Sequence, residues 1–158
     1  AEDEFETVVD CDINAYIPSS YIKNEYQKLD IYKRISGIEN EDEYMDMQDE
    51  LMDRFGDLPA SVENLLKVAE LKAMAHRAYV TEVKVNRQEV RLTMYPGAKL
   101  DTEGIPGLVQ EYGGDLRFQM GDVPYFHFVD KKKVHKDCEA MLQKTREMIG
   151  KVEALAVR

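Results

Sequence analysis

Glu43, Asp46, Glu50 and Asp53 recur at i, i+3, i+7 and i+10 in the stretch from Glu41 to Pro59, and Arg54 follows Glu50 by four residues. Wound at ~100° per residue, a helix gathers these carboxylates on one face and sets the guanidinium beside Glu50. Carboxylates so grouped can work as general acid and base, hold a divalent cation, or meet a basic partner. The first two uses need a concave, partly desolvated setting that drives two pKa values apart. A convex helix face in water lacks that setting, so a carboxylate hydrolase, which needs these acids to line a cleft, is the weakest reading. Two readings remain. The stripe is a solvated face, or it is a docking surface for a basic partner with Glu50, Asp53 and Arg54 as its C-terminal cluster.

Other residues capable of chemistry are scattered. His76, His127 and His135 show neither the H-E-x-x-H pattern nor paired zinc spacing, and no metal is expected on them. Cys11 and Cys138 lie far apart in sequence and form no metal-ligand pattern. Ser19, Ser20, Ser36 and Ser61 sit at cap or turn positions, so a Ser/His/Asp nucleophile lacks a candidate. Gly104 to Gly107 lacks the flanking strand and the lysine of a phosphate-binding loop. The sequence therefore predicts no catalytic residue and no cofactor. A basic run, Lys131, Lys132 and Lys133 with Lys136, suggests a second patch. It is either a lysine-rich helix start in water or a nucleic-acid contact, the rival function to docking.

Charge separates these possibilities further. Residues 1–60 hold 17 acids against 5 bases, and residues 61–158 hold 14 against 16, so the whole deficit of -10 belongs to the first portion. That portion repels a polyanion and attracts a basic protein surface. At 158 residues, with 44% hydrophobic and 33% charged content, the chain can bury a core and is not of disordered composition. No apolar run reaches the ~20 residues of a membrane span, nothing at the start resembles a signal peptide, and the cysteine usage suits a reducing, cytoplasmic setting. A start at Ala1 rather than Met suits a piece of a longer protein.

The elements that must position these groups follow from periodicity. Residues 1–6 form a loose acidic lead-in. Phe5, Thr7, Val9, Cys11 and Ile13 then alternate with polar residues, which predicts a half-buried strand with Cys11 turned inward. Pro18-Ser19-Ser20 breaks it and caps a helix from about Tyr21 to Ile35, with Ile22, Tyr26, Leu29, Ile31 and Ile35 as its apolar side and Lys33-Arg34 offsetting its last-turn dipole. In the acidic helix, Tyr44, Met47, Leu51 and Phe55 face a core, widened by Met45, Gln48 and Met52, and Gly56 with Pro59 ends it. A third helix runs from Ala60-Ser61 to roughly Tyr79, with His76 as a partly buried dipole partner near its end. Beyond it, Val80–Val85 and Val90–Met94 read as a hairpin around Asn86-Arg87-Gln88. Asp101 to Tyr112 is a weak helix interrupted at Gly104, Pro106 and Gly107. Strands follow at Leu116–Phe118 and Tyr125–Val129, then a helix from about Lys133 carrying Val134, Cys138, Met141, Leu142, Thr145, Met148, Ile149, Val152 and Leu155 on one side. The predicted class is α+β: an N-terminal strand and three-helix half (7–79), then a small, mainly antiparallel sheet with a C-terminal amphipathic helix (80–158), together one domain over 1–158.

Three blocks in this order, Asn14-Ala15-Tyr16-Ile17-Pro18, Ile31-Tyr32-Lys33-Arg34-Ile35 and Glu50 through Pro59, resemble the C-terminal domain of bacterial transcription-repair coupling factors. The match is strongest over Phe5 to Lys72; beyond Tyr79 it rests on order and length. The resemblance implies a parent that is an ATP-driven DNA translocase of transcription-coupled nucleotide-excision repair, removing stalled RNA polymerase and recruiting UvrA, with its motor outside this chain. It implies a domain without catalysis that folds back on the parent's N-terminal, UvrB-like domain and covers the UvrA-binding surface, holding the parent autoinhibited. The family residues of that contact match Glu50, Asp53 and Arg54, with Asp46 and Glu43 on the same face. UvrA, RNA polymerase and DNA are then indirect partners, reached through the parent, and no membrane is involved.

Overall fold

Val8–Cys11, the first strand (β1), pairs in parallel with Val80–Val85 (β2), so that Val8 lies opposite Glu82 and Cys11 opposite Val85. Between these partners the chain runs through three helices, Glu25–Ser36 (α1), Glu41–Phe55 (α2) and Ala60–Arg77 (α3). A parallel pair needs such a crossover because its two strands run the same way. The computed structural model describes residues 5–157. The first four residues of the expected acidic lead-in lie outside them. Two compact units are present, one of residues 13–73 and one of residues 5–12 with 74–157, the division falling within α3.

In the helical unit Ile17, Ile22, Ile31, Ile35, Ile38, Met47, Leu51, Val62 and Leu66 form one buried cluster, flanked by Tyr21, Tyr32, Tyr44 and Phe55. The α1 boundary differs from expectation. Asn24, not Ser19-Ser20, is its N-cap: the Asn24 side chain accepts from the Gln27 N–H, and the preceding residues turn instead. Ile22 is buried from that turn, while Tyr26 and Leu29, expected on the apolar side, are exposed. The start four residues later leaves Ile31 and Ile35 as the buried residues of α1. In α2 the stripe Tyr44, Met47, Leu51, Phe55 faces inward, but Met45 and Met52 are exposed, so its apolar face is narrower than the sequence suggested. Asn40 caps α2 by accepting from the Glu43 N–H. Gly56 ends it at φ +91° and ψ -168°, a conformation open to glycine and few others.

The second unit is built on a five-stranded mixed sheet in the order β1-β2-β3-β5-β4. Glu89–Met94 (β3), Leu116–Gln119 (β4) and Tyr125–Val129 (β5) pair antiparallel with their neighbours, and only the β1–β2 edge is parallel. The expected hairpin turn holds because Asn86 Oδ1 accepts from the N–H groups of Gln88 and Glu89. A register shift between Val80 and Glu82 lets Val80 and Val83 both point inward, three residues apart. Residues 102–104 form a 3-10 turn and Ile105–Glu111 a short helix (α4), so Pro106 opens that helix and Gly107 lies within it rather than breaking it.

The last helix (α5) is Cys138–Glu153, capped by Asp137, whose side chain accepts from the Ala140 N–H. Its start is five residues later than expected, and Val134, predicted on its buried side, is exposed in the preceding loop. Cys138, Met141, Leu142, Thr145, Met148, Ile149 and Val152 are buried as expected, and the helix packs on β2 and β3. Cys11 is half-buried and Cys138 buried, both as free thiols. Burial first, then the neighbouring thiol and carboxylates, pushes Cys11 up to about 11, so it is a thiol rather than a thiolate at neutral pH.

Candidate docking site

Arg34 on the last turn of α1 lays its guanidinium fork on Glu50 of α2, with Nη1–Oε2 at 2.6 Å and Nη2–Oε1 at 2.5 Å. Arg54, one turn further along α2, donates to the same Oε2 at 2.9 Å and sits over the Phe55 ring at 4.9 Å. Two helices are thus joined at one carboxylate. The bidentate geometry exploits the planarity of arginine, which lysine cannot imitate. The hydrogen bonds from Arg34 and then Arg54 hold Glu50 down at about 2, well below the usual carboxylate range. The cluster is accessible: the side chains of Arg34, Glu50 and Arg54 keep 41%, 33% and 39% of their surface in solvent.

The other members of the stripe differ in their local work. Glu43 accepts from the Glu39 N–H while its own N–H is held by Asn40, which closes the start of α2 much as a capping box does. Asp46 and Asp53 are exposed. At the other end the Tyr21 hydroxyl donates to the carbonyls of Leu51 and Gly56, tying the C-terminus of α2 to the turn before α1. The sequence placed Glu50 and Arg54 side by side through their spacing, and the structure brings them together. It missed Arg34, which it assigned to the dipole of its own helix. The two partners stand 16 residues apart on different helices, and no spacing rule within one helix could pair them.

The basic run lies elsewhere. Lys131, Lys132, Lys133 and Lys136 belong to the loop between β5 and α5 and not to a helix start, because Asp130 folds the loop and Asp137 delays the helix. His76 packs its ring on Phe5 at 4.4 Å and its Nε2 lies 3.0 Å from the Phe5 carbonyl, a structural role in the sheet unit. His127 lies 3.4 Å from Glu89, and His135 lies 3.0 Å from Asp130. Among the described residues no group of three or more His, Cys, Asp or Glu could hold a metal ion, and no helix is long and apolar enough to cross a membrane.

Together these features define an α+β domain with no evident catalytic motif and, on a helical face, a solvent-accessible arginine–carboxylate–arginine cluster. The TRCF domain family model matches residues 11–105, and the chain belongs to that family. The transcription-repair-coupling factor of Bacillus subtilis is 38% identical over 120 residues, 75% of this chain and 10% of its own length. That of Staphylococcus aureus strain USA300 is 33% identical over 114 residues, 71% of this chain and 10% of the relative. The chain therefore matches about a tenth of the length of these curated relatives. A crystal structure of the C-terminal domain of transcription-repair coupling factor shares the fold, with a TM-score of 0.77 at 22% identity, covering 96% of this chain and 94% of that one.

Proposed function

We propose that this chain is a non-catalytic regulatory domain of a transcription-repair coupling factor, an ATP-dependent DNA translocase acting in transcription-coupled nucleotide-excision repair. It docks through the outer face of α2 on the parent's UvrB-like N-terminal domain, masks the UvrA-binding surface and holds the parent autoinhibited. The observation that supports this is the Arg34–Glu50–Arg54 cluster beside the exposed Asp53 and Asp46. Each arginine fork is held in place before any partner arrives, so less side-chain freedom is lost on docking. Glu50 is already engaged by two guanidinium groups. The acceptors left for a basic partner are chiefly Asp53 and Asp46, with Glu43 at the margin, and Arg34 and Arg54 serve as donors. A polar contact of this kind suits a releasable lock, because about 1.4 kcal/mol changes the closed-to-open ratio tenfold.

The test is binding of this domain, supplied in trans, to the parent's UvrB-like domain, with Asp53→Lys and Arg34→Ala as variants. Wild-type binding that drops at least tenfold with Asp53→Lys is expected, with a smaller loss for Arg34→Ala. Binding indifferent to both substitutions places the contact on another face and overturns the site.

A further inference from the structure

The β2–β3 turn and the β5–α5 loop meet at one end of the sheet, where the Asp130 N–H donates to the Gln88 carbonyl at 2.8 Å. Between them lies an open cleft of about 820 Å³, with Arg87 from the turn facing Lys131, Lys133 and Lys136 from the loop. Sequence spacing could not anticipate Arg87 here. It is more than forty residues from the lysines, and Lys132 of the same run lines a different cleft with Tyr112, Lys144 and Lys151.

Two acids line the basic cleft, Asp12 and Asp130. Asp130 is only 6% exposed and is occupied by the loop itself. It accepts from the N–H groups of Val134 and His135 at 3.3 and 2.9 Å, and its Oδ2 lies 3.0 Å from His135 Nδ1. Burial pushes its carboxyl up, but the His135 and Val134 contacts outweigh that and hold it below its ordinary value. Its charge thus shapes the loop, leaving Asp12 against four cations. Cys138, the first residue of α5, also lines the cleft, and the Asp137 side chain already caps that helix end by accepting from the Ala140 N–H.

We propose that this cleft binds the sugar–phosphate backbone of a nucleic-acid duplex without reading bases. Lysines on flexible stems are suited to phosphates as mobile point charges. A protein partner would need an apolar anchor, and Val129 and Cys138 are the only apolar side chains in the lining, the latter 7% exposed. Single strands bind by stacking on aromatic rings. The only ring in the lining is His135, which faces Asp130 and stands edge-on to Phe128 at 6.2 Å. This inference stands apart from the docking role, which uses the other unit of the chain.

The test is fluorescence anisotropy of a labelled duplex of about 20 base pairs titrated with the 158-residue chain from about 50 mM salt upward. Binding is expected to weaken with salt at a log–log slope of about 0.9 per phosphate contact. The triple variant Arg87→Gln/Lys133→Gln/Lys136→Gln is expected to lower affinity at least tenfold and to reduce the slope by about one unit per cation removed. Lys131 is left in place because its Nζ donates to the Gly114 carbonyl at 2.8 Å. The control Lys67→Gln/Lys99→Gln, outside the cleft, is expected to change binding less than twofold. No binding at about 50 mM salt, an equal loss in the control, tighter binding to the single strand, or displacement by polyglutamate at equal charge would each overturn the assignment. Amide shifts confined to residues 86–88 and 130–138 on adding duplex would confirm it in the wild-type chain.

Discussion

With Arg34 forked on it from α1 and Arg54 reaching back along α2, Glu50 keeps its charge in the folded chain to about pH 2. In the unfolded chain it protonates near an ordinary glutamate value of about 4.3. Its folded pKa is depressed, so its contribution to stability is fully present above the unfolded value and fades as pH falls from there toward 2. The difference in urea midpoint between wild type and Glu50→Gln should therefore be constant from pH 7 to about pH 5 and shrink between there and pH 2. A difference that does not vary with pH would mean that the two arginines contribute no more to Glu50 than to its amide. Because the cluster is partly in solvent, salt should also reduce the difference. At this scale half of the network was legible. Glu50 and Arg54 announce themselves by i,i+4 spacing, whereas Arg34 is recruited only when two helices pack.

At the scale of elements, the end of α2 was legible because Gly56 and Pro59 mark it, and Met47 and Leu51 keep the inward face that their spacing predicts. The cap at its start, Asn40, came from the structure. Asn40→Ala should lower stability by about 1 kcal/mol, read as a shift in urea midpoint without a change in slope, because the Glu43 N–H loses its acceptor. An unaltered midpoint would show that Glu43 and the remaining first turn cap the helix without Asn40. The boundaries of α1 and α5 were misplaced for a related reason. Each is preceded by a stretch that also carries apolar residues at helical spacing, Ile22 before α1 and Val134 before α5. Periodicity extends a helix into such a stretch, and only the capping hydrogen bonds of Asn24 and Asp137 show where the helix starts. The end of α3 is likewise unmarked by glycine, since Tyr79, two residues beyond it, takes φ +63° with its side chain buried.

At the scale of the molecule, β1 supplies an edge to a sheet whose other strands begin about seventy residues later. Thr7 Oγ1 donates to the Val80 carbonyl at 2.7 Å, and Phe5 stacks on His76 and on Tyr95 at 4.4 and 4.7 Å. Removing residues 1–11 should leave one side of β2 unpaired, raising amide exchange across Val80–Val85 and favouring self-association through the exposed edge. Exchange in β2 that stays at the wild-type rate would show that the hairpin and α5 alone hold that edge closed. The sequence by itself determined what depends on neighbours along the chain: the strands by alternation, the helical faces by their 3.6-residue repeat, the hairpin by Asn86, and the Glu50–Arg54 pair by one turn of helix. What only the tertiary structure decided are the meetings across long separations. These are the parallel docking of β1 on β2, the Arg34 fork on Glu50, and the gathering of Arg87 with the lysines before α5. Local propensity carries no term for such encounters, which are selected by the burial and hydrogen bonding of the assembled units.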